Sequence, residues 1–367
     1  FLILYFFRNS GLKVQSTLDS NLKKLILTCT FFNLEGKSFH KNFEIKELKA
    51  RQASFIELLS EQEKDFFGQK KGIVNISHNL INSYPRFIVG NSNKEKSIIS
   101  MTHTFFDSRN STQKNSLTPN PKPEQYYDFS TAVTCFLSQN SFYSELVIYP
   151  LHQQFNYKYQ CIFFTEEGEH IFESKLFTIN SANFELTYIN FKEIISNFNT
   201  DKILKSNDII AQVNFIADSH QIPKRFKLGL NIGEINKVYD LPSNICFGLH
   251  YPKPSYPDKK ETLRWLPLLQ SKNPFFIITN FSIFKNYDKP ADITLSFWAA
   301  DEELPMVKEL TIKPNGFLRF NLKDNAEIKK FMNNKTGWVT LSTNNFMVNT
   351  WYFADNETGI IGGDHGF

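Results

Sequence analysis

Cysteine is scarce in this chain: four residues in 367, at Cys29, Cys135, Cys161 and Cys246. They form no CxxC pair and no Cys/His spacing of the zinc-binding kind, and their spacing demands no disulfide framework. Long apolar runs are also missing. The run FLILYFF at residues 1–7 is too short to cross a bilayer, so no membrane span is expected. It has the length of part of a secretory leader, but the internal repeat described below makes it a first strand. Charge of one sign is lacking too. The 41 Lys and Arg are interleaved with 37 Asp and Glu for a net charge of +4, and no basic stripe marks a nucleic-acid partner. No G-x-S-x-G, HExxH or Walker pattern occurs, so the common hydrolase, metalloprotease and nucleotide-binding signatures are excluded. No cofactor is implied, and no extended low-complexity tract is present. The expected location is cytoplasmic.

Phenylalanine is abundant, with 38 residues, and aromatics make up 15% of the chain. Aromatic and β-branched residues favour half-buried strands. A chain this long fits two or three domains better than one.

An internal repeat favours three. Residues 291–322 read ADITLSFWAADEELPMVKELTIKPNGFLRFNL: a strand, a polar turn, a strand, a Pro-Asn-Gly turn and a strand. Residues 25–58 and 159–191 follow the same plan. The aromatic pairs Phe31–Phe32, Phe163–Phe164 and Phe297–Trp298 set the register, and an acidic turn follows each. The first members are spaced by 132 and 134 positions. That period is too long for a solenoid, whose units repeat every ~20–50 residues, so each copy is expected to carry its own core. The expected fold class is all-β: three tandem β-sandwich modules, each with one short helix, at residues 1–108, 126–251 and 262–367. Polar, proline-rich joints at 108–124 and 252–260 separate them.

Within the first module, Ser60-Glu61-Gln62-Glu63 is a capping box that starts the short helix. Residues 190–198 and 323–331 supply its counterparts. Phe275–Phe281 is expected to open the third module as Thr131–Leu137 opens the second. Cys29, Cys161 and Leu295 share one repeat position, which marks an apolar core site.

The modules end alike. SIISMTHTF, NICFGLHY and GIIGGDHGF align up to a histidine, giving His103, His250 and His365, with Asp364 beside the last. Three imidazoles are a known zinc arrangement, so convergence of the three at a module junction would make a metal-dependent enzyme. The plainer reading is a hydrogen-bonding residue at a strand end. Carboxylates gather in the three acidic turns, where polar residues are expected in any case. Aromatics are the other candidate: Trp298 with Trp265, Trp351, Tyr256 and Tyr287, as a platform for a sugar ring or a protein partner, against the plainer reading that aromatics in β modules belong to the core.

The run FFIITNFS, then DITLSFWAADEELPMVKELTIKPNGFLRFNL, then GWVTLSTNNFMVNTWYF, between Phe275 and Tyr352, resembles the sensory rhodopsin transducer family, a small soluble β-sandwich. The resemblance covers under a third of the chain and carries over no site residue. It implies a non-enzymatic binding or signalling module, often oligomeric. The repeat and the lack of a catalytic constellation make the expected function a non-catalytic binding protein with a carbohydrate or protein ligand, open to homo-oligomerisation. The metal-dependent enzyme is the alternative.

Overall fold

The structure is a computed structural model. It describes residues 2–6, 10–16, 21–33, 35–67, 72–80, 86–92, 99–103, 117–118, 131–138, 140–149, 156–180, 187–197, 206–217, 222–223, 227–235, 243–248, 262–268, 274–282, 286–333, 335–355 and 361–366. The chain is all-β, with a few short helices.

The first group of strands is β1 (Leu2–Phe6), β2 (Ser10–Gln15), β3 (Leu25–Phe32), β4 (Ser38–Ile45), β5 (Ala53–Glu57), β6 (Gly72–His78), β7 (Arg86–Ser92) and β8 (Ile99–His103), with helix α1 (Glu61–Lys64) after β5. Its sheets run β1-β6-β3-β4 and β5-β2-β7-β8. A two-residue strand β9 (Leu117–Thr118) lies in the expected joint; the rest of that joint is outside the described residues.

The second group is β10 (Thr131–Ser138), β11 (Phe142–Ile148), β12 (Asn156–Phe164), β13 (His170–Glu173), β14 (Phe177–Asn180), β15 (Thr187–Asn190), α2 (Phe191–Ser196), β16 (Asp208–Ala217), β17 (Ile222–Pro223), β18 (Lys227–Glu234) and β19 (Ser243–Gly248). β17 pairs with β9. The others form one nine-stranded sheet, β13-β12-β16-β10-β11-β18-β19, with β14 also on β12 and β15 on β11. The third group is β20 (Thr262–Pro267), β21 (Pro274–Asn280), β22 (Ala291–Ala299), β23 (Met306–Ile312), β24 (Phe317–Asn321), α3 (Ala326–Met332), β25 (Gly337–Thr343), β26 (Val348–Asp355) and β27 (Ile361–His365). Its sheets run β20-β25-β22-β23 and β24-β21-β26-β27.

Numbered within its own group, each set of strands pairs as 1-6-3-4 and 5-2-7-8. In the second group the fourth strand is split into β13 and β14, and the two halves are joined through the pair Ser138–Phe142. Phe31, Phe163 and Phe297 sit at matching positions of matching strands, opposite Val74, Ala211 and Val339, and all three are fully buried. Phe31 stacks on Phe39 at 4.8 Å and Phe163 on Phe172 at 4.4 Å. In the third group Met306 faces Phe297, and Phe320 comes within 5.7 Å. Cys29, Cys161 and Leu295 are likewise fully buried at one repeat position. Burial raises the Cys29 thiol to about 12, so it remains a neutral thiol.

The helices are one or two turns long, too short to stand on propensity. Packing holds two of them, through Phe191 and Ile194 in α2 and Ile328 and Met332 in α3. The capping box at Ser60 and Glu63 is formed, as expected.

The third group opens on β20, TLRWLP, and not on Phe275–Phe281, which is its second strand. The reason is polarity. Leu263 and Trp265 face outward at 65% and 43% exposure while Leu266 is buried, so the apolar alternation does not announce which side is core.

The expectation of one core per copy holds for the first group, whose two sheets share a cluster including Leu12, Val14, Cys29, Phe31, Val74 and Val89. The third group has its own cluster around Phe276, Ile278, Leu295, Phe297 and Val339. The largest cluster, however, is shared. It joins Phe136, Phe163, Ile210 and Leu230 of the second group to Phe275, Ile277, Phe317, Trp351 and Phe353 of the third. The sheet β24-β21-β26-β27 is therefore buried on both sides, with Phe276 and Ile278 facing one core and Phe275 and Ile277 the other.

Polar contacts lock this join. The Lys313 ammonium meets the Glu167 carboxylate at 2.5 Å, and the Phe317 amide donates to the Glu166 carbonyl at 3.1 Å. Arg319 lies 3.4 Å from Asp208 and sits over the rings of Phe275 and Phe142 at 4.5 and 5.1 Å. A Cβ on Gly168 would stand 2.2 Å from the Pro314 carbonyl oxygen, so glycine is required for the approach of the two turns.

Truncating the shared core should cost more than an ordinary surface change. Phe163→Ala is expected to lose about 3–5 kcal/mol in urea unfolding followed by circular dichroism. A loss below about 1 kcal/mol would contradict its place in the core.

Candidate functional site

The outward face of β20-β25-β22-β23 is built by simple alternation. In β22, Ala291, Ile293, Leu295, Phe297 and Ala299 point into the core, leaving Asp292, Thr294, Ser296 and Trp298 outward. In β25, Val339 and Leu341 point inward and Trp338, Thr340 and Ser342 outward. Register sets the rows across the sheet. Trp265, Thr340 and Ser296 face one another in one row, and Pro267, Trp338 and Trp298 in the next.

Trp298 and Trp338 stack with ring centroids 6.3 Å apart and planes at 12°. The Trp298 indole N–H donates to the Thr340 hydroxyl at 3.1 Å, which fixes its ring on the sheet. Trp338 is 37% exposed, and Leu304 and Val307 nearby are 78% and 54% exposed. These exposed apolar side chains share the face with the hydroxyls of Thr340 and Ser296, which stand between Trp265 and Val307 in one row. Farther along the face, Asp292, Thr294, Glu309, Thr311 and Ser342 line a shallow depression of about 680 Å³. There the Thr311 hydroxyl donates to Asp292 at 2.9 Å.

Of the aromatics singled out in the sequence, Trp265 and Trp298 belong to this face. Trp351 does not: it is 4% exposed, in the shared core. Tyr287 is 9% exposed, and its hydroxyl donates to the Asn280 side-chain oxygen at 2.6 Å inside a buried polar network with Asn345. Tyr256 lies outside the described residues. Trp338 was missed from the sequence, although the alternation of GWVTLST marks it as the outward neighbour of buried Val339.

The histidines are placed in part. His103 ends β8 opposite Ile88, which faces Lys13, and His365 ends β27 opposite Trp351, which faces Ile277. Lys13 and Ile277 precede by the same interval Ser16 and Asn280, whose amides bond to Gln52 and Gly316 just before β5 and β24. His103 and His365 therefore occupy one register position in matching strands. β19 lies alongside both β8 and β27, so the last strands of the three groups are neighbours. His250 lies just beyond β19, outside the described residues. The His365 Nε2 is 3.8 Å from Asp364, and its Nδ1 is 3.2 Å from the Gly366 carbonyl. Among the described residues no three His, Cys, Asp or Glu side chains gather to hold a metal ion. Among them, too, no helix is long and apolar enough to cross a membrane.

No protein-family model matches the chain, and no curated protein does. Among solved structures, the FN1–FN3 domains of chicken CNTN1 share 10% identity over 98% of this chain and 96% of that one, with a TM-score of 0.12. A score so low carries no argument about fold or function.

The stacked indoles supply a spectroscopic handle. Trp338→Ala should abolish an exciton couplet in the far-ultraviolet circular dichroism while lowering stability by only about 0.5–1.5 kcal/mol. An unchanged couplet would show that the pair is not stacked in solution.

Proposed function

We propose that the chain is three tandem β-sandwich modules, at residues 1–108, 126–251 and 262–367, and that it is a non-catalytic interaction protein. Its binding surface is the outward tryptophan face of β20-β25-β22. The observation that supports this reading is the solvent-facing stack of Trp298 and Trp338, held rigid by the sheet and by the Thr340 hydroxyl. Trp residues on rigid backbones carry large shares of interface energy because they lose little conformational freedom on binding.

A protein ligand fits this surface better than a sugar. A sugar site needs polar groups converging beside the ring platform, whereas the polar groups of the depression on this face, Asp292, Thr294, Glu309 and Ser342, lie two or more rows along the sheet from the Trp298–Trp338 pair. The resemblance of residues 275–352 to the sensory rhodopsin transducer family implies the same class of role.

Glycan-array binding and capture on immobilised protein test the reading when each is run beside Trp298→Ala and Trp338→Ala. Binding that each variant weakens at least about 30-fold supports the face as the binding surface. Ligands held equally well by both variants, or turnover of any substrate, would overturn it.

A further inference from the structure

We propose that a second copy of this chain docks on the tryptophan face, head to tail, through the outward face of its own β5-β2-β7-β8 sheet. The inference rests on the reading of the tryptophan face as a binding surface, and it names the partner.

The chain already contains one join of this kind. The outward face of β24-β21-β26-β27 covers the outward side of β12-β16-β10, with Phe317 against Phe136 and Phe281 against Phe164. Repeat register gives each half of that join a counterpart elsewhere. On the covering side, the turn at Lys313–Gly316 matches the turn at Lys49–Gln52. Gly316 donates to the Lys313 carbonyl at 3.0 Å and Gln52 to the Lys49 carbonyl at 3.1 Å, and Asn315 and Arg51 both have φ of 57°. Lys49 thus stands where Lys313 does. On the covered side, the turn at Thr165–Gly168 matches Ala299–Glu302, since Gly168 donates to the Thr165 carbonyl and Glu302 to that of Ala299. Asp301 therefore stands where Glu167 does, Trp298 where Phe164 does, and Trp338 where Ile210 does.

Both counterpart faces are open. On the covering side Phe55 and Met101 are each 66% exposed. On the covered side Trp265, Trp338 and Leu263 are 43%, 37% and 65% exposed. One charge pair keeps its signs: Lys49 of one copy lies toward Asp301 of the next, in the places of Lys313 and Glu167. The match is one of backbone register, and the side chains differ. Glu302 and Gln52 take the places of Gly168 and Gly316, so the turns of two copies sit farther apart than those at residues 165–168 and 313–316. Phe55 and Thr336 stand where Arg319 and Asp208 do, and Gly11, Lys13, Ala53 and Gly90 where Phe275, Ile277, Phe317 and Phe353 do, so Phe55, Ile88 and Met101 are the apolar side chains left to meet the indoles. Because the two faces are unlike, the assembly closes into a ring or grows as an open chain.

Sedimentation velocity of the full chain over a concentration series tests this. The expected result is mass above the monomer that grows with concentration. Phe55→Glu and Trp338→Ala should each weaken association about 30-fold. Lys49→Glu should weaken it about two- to fivefold, and adding Asp301→Lys should restore it. A chain that is monomeric at every concentration, or association that none of these changes affects, overturns the proposal. The two readings fail separately. Phe55→Glu leaves the tryptophan face intact, so a monomeric chain whose other ligands are lost only on Trp338→Ala would sink self-docking and keep the proposed function.

Discussion

The packing of one sheet on both sides governs this molecule. A strand buried on both faces reads as a nearly continuous apolar run and not as an alternation of apolar with polar. β21 is such a strand, with Phe275, Phe276, Ile277 and Ile278 in succession, all buried. Odd and even members of the run belong to different cores, so the strand is the shared wall of two. The cost of mispacking either side falls on both. Arg319 caps the wall, its guanidinium resting on Phe142 and Phe275 while it pairs with Asp208 across the join. Partly buried, multiply contacted pairs of this sort hold register better than exposed ones do.

That constraint also explains why the tryptophan face stands out. The position of Phe164 and Ile210 is covered in the second group and open in the third, where it carries Trp298 and Trp338. Indoles tolerate such a place because a flat ring can stack on its neighbour and direct its N–H to a sheet hydroxyl. The first group takes a third course at this position: Ile73 is nearly buried and Phe32 is half-buried. One backbone plan therefore presents three surfaces of different chemistry.

Much of the plan was legible in the sequence because it depends on local pattern. Phe31, Phe163 and Phe297 announced matching strands through the aromatic pair and the acidic turn that follows it. The capping box at Ser60 and Glu63 is a four-residue signal and formed as read. The matching of His103 with His365 survived in the strand register. What escaped depends on tertiary context. β20 was unread because its large apolar residues face solvent, which periodicity cannot distinguish from facing a core. The shared core was unread because an all-apolar strand such as β21 signals double burial without naming what lies on its second side. Of the aromatics that could have formed a surface platform, Tyr287 and Trp351 follow the plainer expectation and are buried, because pattern alone does not say which of them a wall of side chains surrounds.

Native-state hydrogen exchange on the intact chain addresses the shared wall most directly. The amides of β10–β16 and of β21, β24 and β26 should open in a single cooperative step with a common free energy, while β3 and β6 of the first group open in another. Separate exchange of the second and third groups, with β21 protected no better than an ordinary one-sided strand, would contradict the account.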